Sequence, residues 1–454
     1  MRILFQLPYP GYLRIYGSTI ALLAERGNTV LVSYDRPGKR REPTAEEVEG
    51  RDGVELVPPL PAARRRAEGL VEALRLTTDY LRYLDPRFAD ATYLRHRLDE
   101  YLPAGVRFLA RAPTSRLAAS AQRVLLALER LVPSDPSIER QLASHRPDAV
   151  VLSPLIGRTP QGIRQTDTVK AARKLRIPAG LAVASWDHLT TKGLVKAQPD
   201  RAFVWNEFQV REAAELHGLP AERVVVTGAQ LFDPWFERTP STTREKFLGR
   251  AGLDPSSPYV LYVGSSRNIA PVEKEIPFVL DWLKAIRHTP EFSELSVLIR
   301  PHPGNALEWA GVALPDGRAA IAPRERPALP MSEADEALYY DSIHHAAAVI
   351  GINTSAMVES FVQRRPVLSI RAPEFRATQD GTLHFRYLLP EAGGPLRVAG
   401  SVDEHLVQLG KALAEPEHDR ERIEAFVRGF VRPRGLDRPA TPILADAIED
   451  LAKR

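Results

Sequence analysis

The sequence contains no cysteine among its 454 residues. This absence excludes a disulfide-bonded scaffold, a thiolate nucleophile and a zinc site with sulfur ligands, and it fits a reducing compartment. The eleven histidines include no HxxxH pair, so a common helical metal-binding motif is missing as well. There is no run of eighteen apolar residues, and the N-terminal apolar run is short. We therefore expect neither a membrane span nor a signal peptide.

The sequence also lacks a strong excess of charge of either sign. The sequence has 61 lysines and arginines and 57 acidic residues, which gives a formal net charge of +4. So small an excess does not call for a nucleic-acid partner. The length exceeds what one hydrophobic core normally serves, so two domains of about 200 residues each are expected. These features together predict a cytoplasmic protein of two domains.

Short apolar segments rich in valine and leucine alternate with helical patterns along both halves of the chain. In the first half they are RILFQLP, NTVLVSY, VELVPPL, DAVVLSP, PAGLAVAS, RAFVWN and RVVVTG, and in the second YVLYVG, LSVLIRP, AVIGI and PVLSI. Continuous apolar runs of this length are typical of parallel strands that are covered on both faces. The pattern predicts an α/β protein with two doubly wound, Rossmann-like parallel sheets.

The boundaries follow from changes in composition. We expect an N-terminal domain over residues 1–238 with a helical insertion at about 62–131, and a polar linker near 237–245. The C-terminal domain should cover 239–425. Residues 426–454 read as amphipathic helices that cross back to the first domain.

The predicted insertion is rich in arginine. Between Arg64 and Arg130 no lysine occurs, and the arginines are interleaved with tyrosine and leucine. Such helices fit contact with an anionic membrane surface or a phosphorylated acceptor. They fit equally an ordinary solvated helical face.

Three strand ends in the second half carry hydrogen-bond donors and cationic groups. They are GSSRN after YVLYV, RPHPGN after LSVLI, and NTSAMVES after AVIGI. The carboxyl ends of parallel strands meet at one edge of a sheet, and a helix start with its free N–H groups attracts anions. We therefore predict a phosphate- and nucleotide-binding site, although the third segment also reads as an ordinary helix cap. The candidate residues are Gly264, Ser265, Ser266, Arg267, Arg300, His302, Asn353, Thr354, Ser355 and Glu359.

A second group of polar residues follows the strand PAGLAVAS of the first half. Asp187 and His188 are candidates for a general base, which an acceptor hydroxyl would need and which should come from the domain opposite the nucleotide. Trp186 and Lys192 stand beside them as sugar- or acceptor-binding candidates. The alternative is that Asp187 caps a turn and His188 packs under Trp186.

Two further loops supply candidates for sugar or acceptor binding. One follows the first strand and the other follows PVLSI, and in both the alternative is a tight turn or simple packing. The candidates are Tyr9, Gly11, Arg14, Gln379, Thr382 and His384. The pair His344-His345 is expected to pack or lie exposed rather than bind a metal, and no metal site is predicted.

These motifs resemble the GT-B class of nucleotide-sugar enzymes. RPHPG and Thr354-Ser355 are similar to the His-Pro and Ser/Thr motifs of bacterial capsule sialyltransferases, Kdo transferases and CDP-glycerol glycerophosphotransferases. GSSRN and NTSAMVE occupy the positions of the phosphate and ribose loops of non-hydrolysing UDP-N-acetylglucosamine 2-epimerases. The resemblance implies that Arg267, Arg300 and His302 contact the donor phosphates. It also implies that the helix start binds phosphate and that Glu359 binds ribose.

The function implied is transfer of a sugar from a nucleotide-activated donor to a bacterial cell-envelope polysaccharide, lipid or metabolite acceptor. The donor could be of UDP, CDP, CMP or GDP type, and the reaction is expected to be inverting, without metal or cofactor. A CDP-glycerol-type polyol phosphate transferase, a nucleotide-sugar 2-epimerase and an inactive binding protein are the alternatives. Asn353-Thr354-Ser355 stands where the epimerases have acidic and glycine residues, which counts against the epimerase.

Overall fold

The computed structural model describes residues 1–36, 43–99, 101–102, 106, 115–155, 164–323 and 332–454. Parts of the predicted helical insertion, at residues 100, 103–105 and 107–114, lie outside the described residues. The chain forms two compact units. The first comprises Met1–Asp233 and Arg428–Arg454, and the second Pro234–Val427. The C-terminal segment from Arg428 therefore belongs to the first unit.

The first unit is built on a parallel sheet in which seven strands are described. The strands are β1 Arg2–Leu7, β2 Thr29–Tyr34, β3 Val54–Leu56, β4 Ala149–Leu152, β5 Ala179–Ala182, β6 Arg201–Val204 and β7 Val224–Val226. Their order is β3-β2-β1-β4-β5-β6-β7. The residues of β4 and β5 are buried throughout, which explains their continuous apolar sequences.

The second unit contains a parallel sheet with six described strands. They are β8 Tyr259–Val263, β9 Ser296–Arg300, β10 Ala319–Ile321, β11 Ala348–Gly351, β12 Val367–Ile370 and β13 Arg397–Ala399. The order is β10-β9-β8-β11-β12-β13, so β8 lies between β9 and β11. The prediction of two doubly wound parallel sheets is confirmed.

Helices connect the strands in both units. Those described are α1 Leu13–Glu25, α2 Pro43–Glu49, α3 Glu68–Arg82, α4 Thr92–Asp99, α5 Ser115–Leu131, α6 Pro136–His145, α7 Gln165–Leu175, α8 His188–Thr191, α9 Glu207–His217, α10 Asp233–Glu237, α11 Arg244–Ala251, α12 Val272–His288, α13 Ala306–Ala310, α14 Glu333–His344, α15 Ser355–Val362, α16 Val402–Ala414, α17 Arg420–Phe430 and α18 Ala440–Ala452. Among them, no helix has both the length and the apolar character needed to cross a membrane.

The last helix, α18, packs on the first sheet beside α1. Leu444 and Ile448 share a hydrophobic cluster with Tyr16 and Ile20 of α1. Asp233 anchors the start of α18, because its carboxylate accepts hydrogen bonds from the N–H groups of Ala440 and Thr441 at 3.0 and 2.7 Å. A carboxylate at a helix start is favoured by the helix dipole.

Two arginines of the helical insertion, Arg75 and Arg82, are buried inside the first unit. Arg75 is 1% exposed and lies between Glu129 of α5 and Asp167 of α7, at 2.9 and 2.7 Å. Arg82 donates to the carbonyl oxygens of Leu189 and Gly193. These contacts attach α3 to neighbouring elements, so the high arginine content reflects in part a buried polar network.

We predict that Arg75→Met lowers the free energy of unfolding of the first unit by about 3–5 kcal/mol, because the substitution leaves two buried carboxylates without their shared cation. Urea denaturation followed by tryptophan fluorescence measures the change. The matched control is Arg87→Met, since Arg87 pairs with Asp85 at 2.8 Å but is 44% exposed. That change should cost only about 0–1 kcal/mol. Similar losses in the two variants would contradict the structural role of the buried network.

Candidate functional site

The second sheet has a topological switch point between β8 and β11. The chain leaves β8 toward β9 on one side and leaves β11 toward β12 on the other. Loops at such a point separate and leave a crevice at the carboxyl ends of the strands, where ligands of open α/β sheets bind. Ser265 follows β8 and Asn353 follows β11, so both lie at this edge.

Ser265 joins the three predicted loops. Its hydroxyl oxygen accepts a hydrogen bond from the N–H of Asn353 at 3.3 Å, and its carbonyl oxygen accepts one from the side-chain amide of Asn305 at 3.1 Å. The loop after β8 also meets the loop after β9, since the N–H of Gly264 donates to the carbonyl oxygen of Arg300 at 2.8 Å. The structure therefore brings the loops around residues 265, 302 and 353 together.

Gly264 is required by this close approach. A Cβ atom at this position would lie 2.6 Å from the backbone nitrogen of His302. No side chain fits at that distance, so glycine permits the loop after β9 to lie directly against the end of β8.

Helix α15 begins at the same edge, with Thr354 as its N-cap residue in an extended conformation. The side chain of Thr354 makes no capping hydrogen bond, although threonine is a good cap. By contrast, Asn206, Thr243 and Ser401 each cap the helix that they precede. The start of α15 thus keeps its positive dipole end at the switch point, with Thr354 half-buried and Ser355 exposed.

Arg300 and Glu359 are linked through Tyr339, which sequence reasoning did not single out. The guanidinium carbon of Arg300 lies 4.7 Å from the centre of the Tyr339 ring. The Tyr339 hydroxyl donates a hydrogen bond to Glu359. Burial lowers the pKa of Arg300, while Tyr339, Asp335 and Glu359 act in the opposite direction. An arginine starts from so high a pKa that it stays charged here.

Arg267 and His302 lie on the more accessible side of the loops. Arg267 is 59% exposed and forms an ion pair with Glu308. His302 accepts a hydrogen bond at Nδ1 from the N–H of Gly304 at 3.0 Å. This contact places the proton of a neutral His302 ring on Nε2, which makes that atom a hydrogen-bond donor. Ser266 is half-buried, and its carbonyl oxygen accepts from the N–H groups of the following turn.

Three residues predicted to read a sugar, Gln379, Thr382 and His384, are buried. The side-chain amide of Gln379 donates to the carbonyl oxygens of Ile352 and Ile370 at 3.0 and 3.2 Å. Thr382 and His384 each lie 3.5 Å from the side-chain amide of Asn353. The structure therefore places this group behind the loop after β11.

Sequence reasoning missed Glu275 of α12, which is fully buried beneath the loop after β8. Its Oε1 accepts hydrogen bonds from the N–H of Ser265 at 2.8 Å and from the hydroxyl of Tyr262 at 3.1 Å. Burial raises the pKa of the Glu275 carboxyl to about 7. A sequence signal existed, because Glu275 shares the apolar face of α12 with Val279 and Trp282.

In the first unit, Asp187 immediately precedes the short helix α8. Its carboxylate accepts hydrogen bonds from the hydroxyls of Ser185 and Thr191 at 2.5 and 2.8 Å. Lys192 lies 3.4 Å from the same carboxylate and the Asp187 side chain is 25% exposed. Asp187 is therefore a fixed, partly accessible carboxylate.

His188 is buried, and both ring nitrogens meet backbone groups. Nδ1 accepts a hydrogen bond from the N–H of Ala184 at 2.9 Å, and Nε2 therefore donates to the carbonyl oxygen of Pro154 at 2.8 Å. Burial lowers the pKa of His188 to about 4. The ring is thus neutral near pH 7 and connects the ends of β4 and β5.

The loop after β1 lies near Asp187. Burial raises the pKa of Tyr12, and the nearby Tyr9 and Asp187 raise it further by electrostatic repulsion. Asp187 and Tyr9 therefore both lie close to Tyr12. Tyr9 packs edge-on against Tyr12 at 5.3 Å and carries the Arg36 guanidinium 5.1 Å from its ring centre. Three candidates of this unit remain. Gly11 lies in a 3-10 turn, and Arg14 is exposed on α1. Trp186 is buried and packs against Phe430.

Asp35 is a second residue that the sequence reasoning missed. It follows β2, and its carboxylate accepts hydrogen bonds from the side-chain amides of Gln6 and Gln165 at 2.6 and 2.9 Å. Burial raises the pKa of Asp35 to about 6. The same rule that selected the other loops, a polar group after an apolar strand, applies to Asp35 as well.

The histidine pair of α14 makes packing contacts. His344 stacks on Tyr340 at 5.6 Å, and His345 lies 2.9 Å from the carbonyl oxygen of Thr242. Within the described part of the chain, no group of three or more histidine or acidic side chains is arranged to hold a metal ion.

No protein-family model matches the sequence, and no curated protein does either. Solved structures do match over nearly the whole chain. The UDP-GlcNAc 2-epimerase from Neisseria meningitidis bound to UDP-GlcNAc is 12% identical with a TM-score of 0.53, over 99% of this chain and 100% of that one. The S. aureus MnaA–UDP structure is 14% identical with a TM-score of 0.55, over 99% and 96%.

The glycosyltransferase of kitacinnamycin is similar to the same degree. It is 13% identical with a TM-score of 0.53, and the match covers 99% of this chain and 98% of that one. At such identities the likeness concerns the fold. The two parallel sheets and these structural neighbours agree, and the chain has the GT-B fold that nucleotide-sugar epimerases and glycosyltransferases share.

Proposed function

We propose that the protein is a metal-independent glycosyltransferase that moves a sugar from a nucleotide-activated donor to an acceptor. The observation that carries this proposal is the junction at Ser265, which holds the loops after β8, β9 and β11 against one another at the switch point of the second sheet. The structural neighbours bound to UDP-GlcNAc and UDP support a nucleotide-sugar ligand at such a fold.

In this proposal the second unit binds the nucleotide. The start of α15 holds a phosphate through its N–H groups and dipole, with the hydroxyls of Thr354 and Ser355 as further donors. Arg300 and His302, at the end of β9, stabilise the negative charge that grows on the leaving phosphate. Glu359 gives up the hydrogen bond that it accepts from the Tyr339 hydroxyl and accepts hydrogen bonds from the ribose hydroxyls instead. Thr382 and His384 contact Asn353 from behind, and Gln379 donates to the carbonyl oxygen of Ile352 beside it, so none of the three touches the sugar.

We assign the general base to Asp187 rather than to His188. A base needs an accessible lone pair, and the backbone contacts of His188 occupy both of its ring nitrogens. The carboxylate of Asp187 is partly exposed and is held in place by two hydroxyls. It would accept the proton of the acceptor hydroxyl as that oxygen attacks the anomeric carbon and the nucleotide leaves, which is the inverting course.

The alternatives share the nucleotide site. A polyol phosphate transferase would use the same phosphate contacts, and a 2-epimerase has support from the epimerases among the structural neighbours. Incubation with UDP-N-acetylglucosamine alone distinguishes the epimerase, because it would convert this sugar nucleotide without an acceptor. An inactive binding protein would bind nucleotide without turnover under any condition.

The nucleotide site predicts a separation of binding from turnover. His302→Ala should weaken nucleotide affinity by about 10-fold, as loss of a hydrogen bond to a charged group does. Asp187→Asn should leave affinity within about twofold and lower turnover by about 100-fold or more. Calorimetric titration with UDP, CDP, CMP and GDP measures binding, and release of the nucleotide from its sugar conjugate in the presence of an acceptor measures turnover.

The matched control is His418→Ala, which removes an exposed histidine outside the proposed site. It should change neither quantity. Absence of binding to all four nucleotides would overturn the proposed function. Equal loss of affinity in the His302 and Asp187 variants would contradict the division of roles.

We also propose contact with an anionic membrane surface through helix α5, in agreement with a lipid-linked or cell-envelope acceptor. Leu117, Val124, Leu128 and Leu131 are 71, 59, 45 and 78% exposed and follow one another at helical spacing on a single face. Arg123 and Arg130 are exposed beside them, whereas Glu129 is buried against Arg75. An apolar stripe with cationic neighbours and no exposed carboxylate on α5 is the pattern of an interfacial helix.

The membrane contact predicts that the protein floats with vesicles containing phosphatidylglycerol and not with pure phosphatidylcholine vesicles. The double change Val124→Asp and Leu128→Asp should reduce flotation by about 10-fold or more, because charge enters the apolar stripe. Val407→Asp is the control, since Val407 is 60% exposed on α16 of the other unit. Flotation that is unaffected by the double change would refute the role of α5.

A further inference from the structure

The carboxyl group of Glu275 lies directly under the proposed phosphate site. Glu275 is fully buried on α12, and its Oε1 accepts the N–H of Ser265, the residue that joins the three loops. We propose that Glu275 is a positioning residue for nucleotide binding: it fixes the Ser265 backbone from below and thereby sets the junction of the loops after β8, β9 and β11. This inference rests on the proposed function and deepens it.

The contacts of Ser265 show how the effect is transmitted. Its N–H is held by Glu275 at 2.8 Å, its carbonyl oxygen by Asn305 at 3.1 Å, and its hydroxyl receives the N–H of Asn353 at 3.3 Å. All three polar groups of Ser265 are therefore used within the junction. A change at Glu275 shifts the backbone of Ser265 and thereby its contacts with Asn305 and Asn353. Because Asn353 precedes Thr354, the helix start shifts as well.

The second oxygen of the carboxyl group adds a charge effect. Oε1 takes the hydrogen bonds from Ser265 and Tyr262, whereas Oε2 has no close hydrogen-bond partner among the described groups. The side chains of Trp309 and Asn305 face the carboxyl and lower its pKa, but burial outweighs them. A buried carboxylate is costly to keep charged, and a proton on Oε2 removes the negative charge from beneath the loop.

Protonation of Glu275 should therefore favour binding of an anion above it. Burial raises the pKa of this carboxyl to about 7, so the group changes charge within the working range. Above that pH the carboxylate adds a negative charge beneath the loop that receives the phosphate, and like charges repel. Nucleotide affinity should fall as the pH rises from about 6 to about 8.

Among the described residues, Ser265, Tyr262, Asn305 and Trp309 face the Glu275 carboxyl. Tyr262 of β8 is the titratable one among its contacts, and the pKa of Tyr262 is raised so far by burial that this group stays neutral. Asn305 and Trp309, from the loop after β9 and from α13, are uncharged. His302 lies in the loop after β9 and is unchanged in the variants compared.

The experiment compares the full-length protein with Glu275→Gln, which imitates the protonated carboxyl in shape and charge. The dissociation constant for UDP is measured by calorimetry between about pH 6 and about pH 8. The titration of UDP itself is common to both proteins, so it cancels in the ratio of the two constants. We expect this ratio, wild type over variant, to rise about threefold to tenfold across the range.

Tyr262→Phe provides a second variant that keeps the carboxyl group. It removes a hydrogen bond that lowers the pKa of Glu275, so the fall in affinity should move to higher pH. Glu273→Gln is the matched control, an exposed glutamate two residues away on the same helix, and should behave as the wild type. A ratio that stays constant with pH, or a Tyr262→Phe profile that moves to lower pH, would overturn the proposal.

Thermal unfolding without nucleotide separates this inference from the nucleotide site itself. The pKa of Glu275 is about 7 in the folded protein against 4.5 for an ordinary glutamate, so the folded state binds more protons between these values. The stability of the wild type should thus fall relative to Glu275→Gln as the pH rises through this window. Parallel melting temperatures would refute the protonation change. If the melting temperatures diverge but neither protein binds UDP, the proposed function fails, and with it the coupling.

Discussion

The hydrogen bond from the Asn353 N–H to the Ser265 hydroxyl connects the ends of β8 and β11, and the loops of the candidate site are arranged around that contact. At a switch point, the loops after two neighbouring strands run away from each other in opposite directions. Contacts between side chains and backbone are therefore needed to fix these loops. Ser265 does so with all three of its polar groups, and Gly264 allows the loop after β9 to come within reach. The crevice at this edge of the sheet is thus a direct consequence of strand order.

This dependence explains which parts of the site could be predicted from the sequence. Apolar runs show where the strands end. Loops at the carboxyl ends of parallel strands lie at one edge of the sheet, whichever way their side chains point. The sequence could therefore predict that the loops at residues 265, 302 and 353 meet. Strand β13 was not, because Arg397–Ala399 has three residues and two of them are only half-buried. Gln379 could not be placed either, since a polar loop residue can face a ligand or satisfy buried carbonyl oxygens with equal ease.

The same ambiguity governs the arginines and histidines of the first unit. The sequence pattern around an arginine on a helix is the same whether its side chain faces solvent or pairs with a buried carboxylate. In the structure, Arg75 and Arg82 are buried. Their contacts are not incidental to the candidate base. Arg82 holds the carbonyl oxygens of Leu189 and Gly193, and Asp79 pairs with Lys196 at 2.8 Å, so α3 fixes the segment that carries Asp187. Long-range pairing of this kind leaves no periodic signal in the sequence.

In the second unit, carboxylates lie close to the arginines of the candidate site. Arg267 pairs with Glu308, and Arg300 lies on Tyr339, whose hydroxyl is held by Glu359. A phosphate that binds must take over these interactions rather than meet unpaired charges, so part of its attraction offsets the loss of existing contacts. The start of α15 differs, because the Thr354 side chain makes no capping hydrogen bond there. If a nucleotide binds as proposed, the backbone N–H groups at this helix start should therefore contribute more net affinity for its phosphate than Arg267 and Arg300 do.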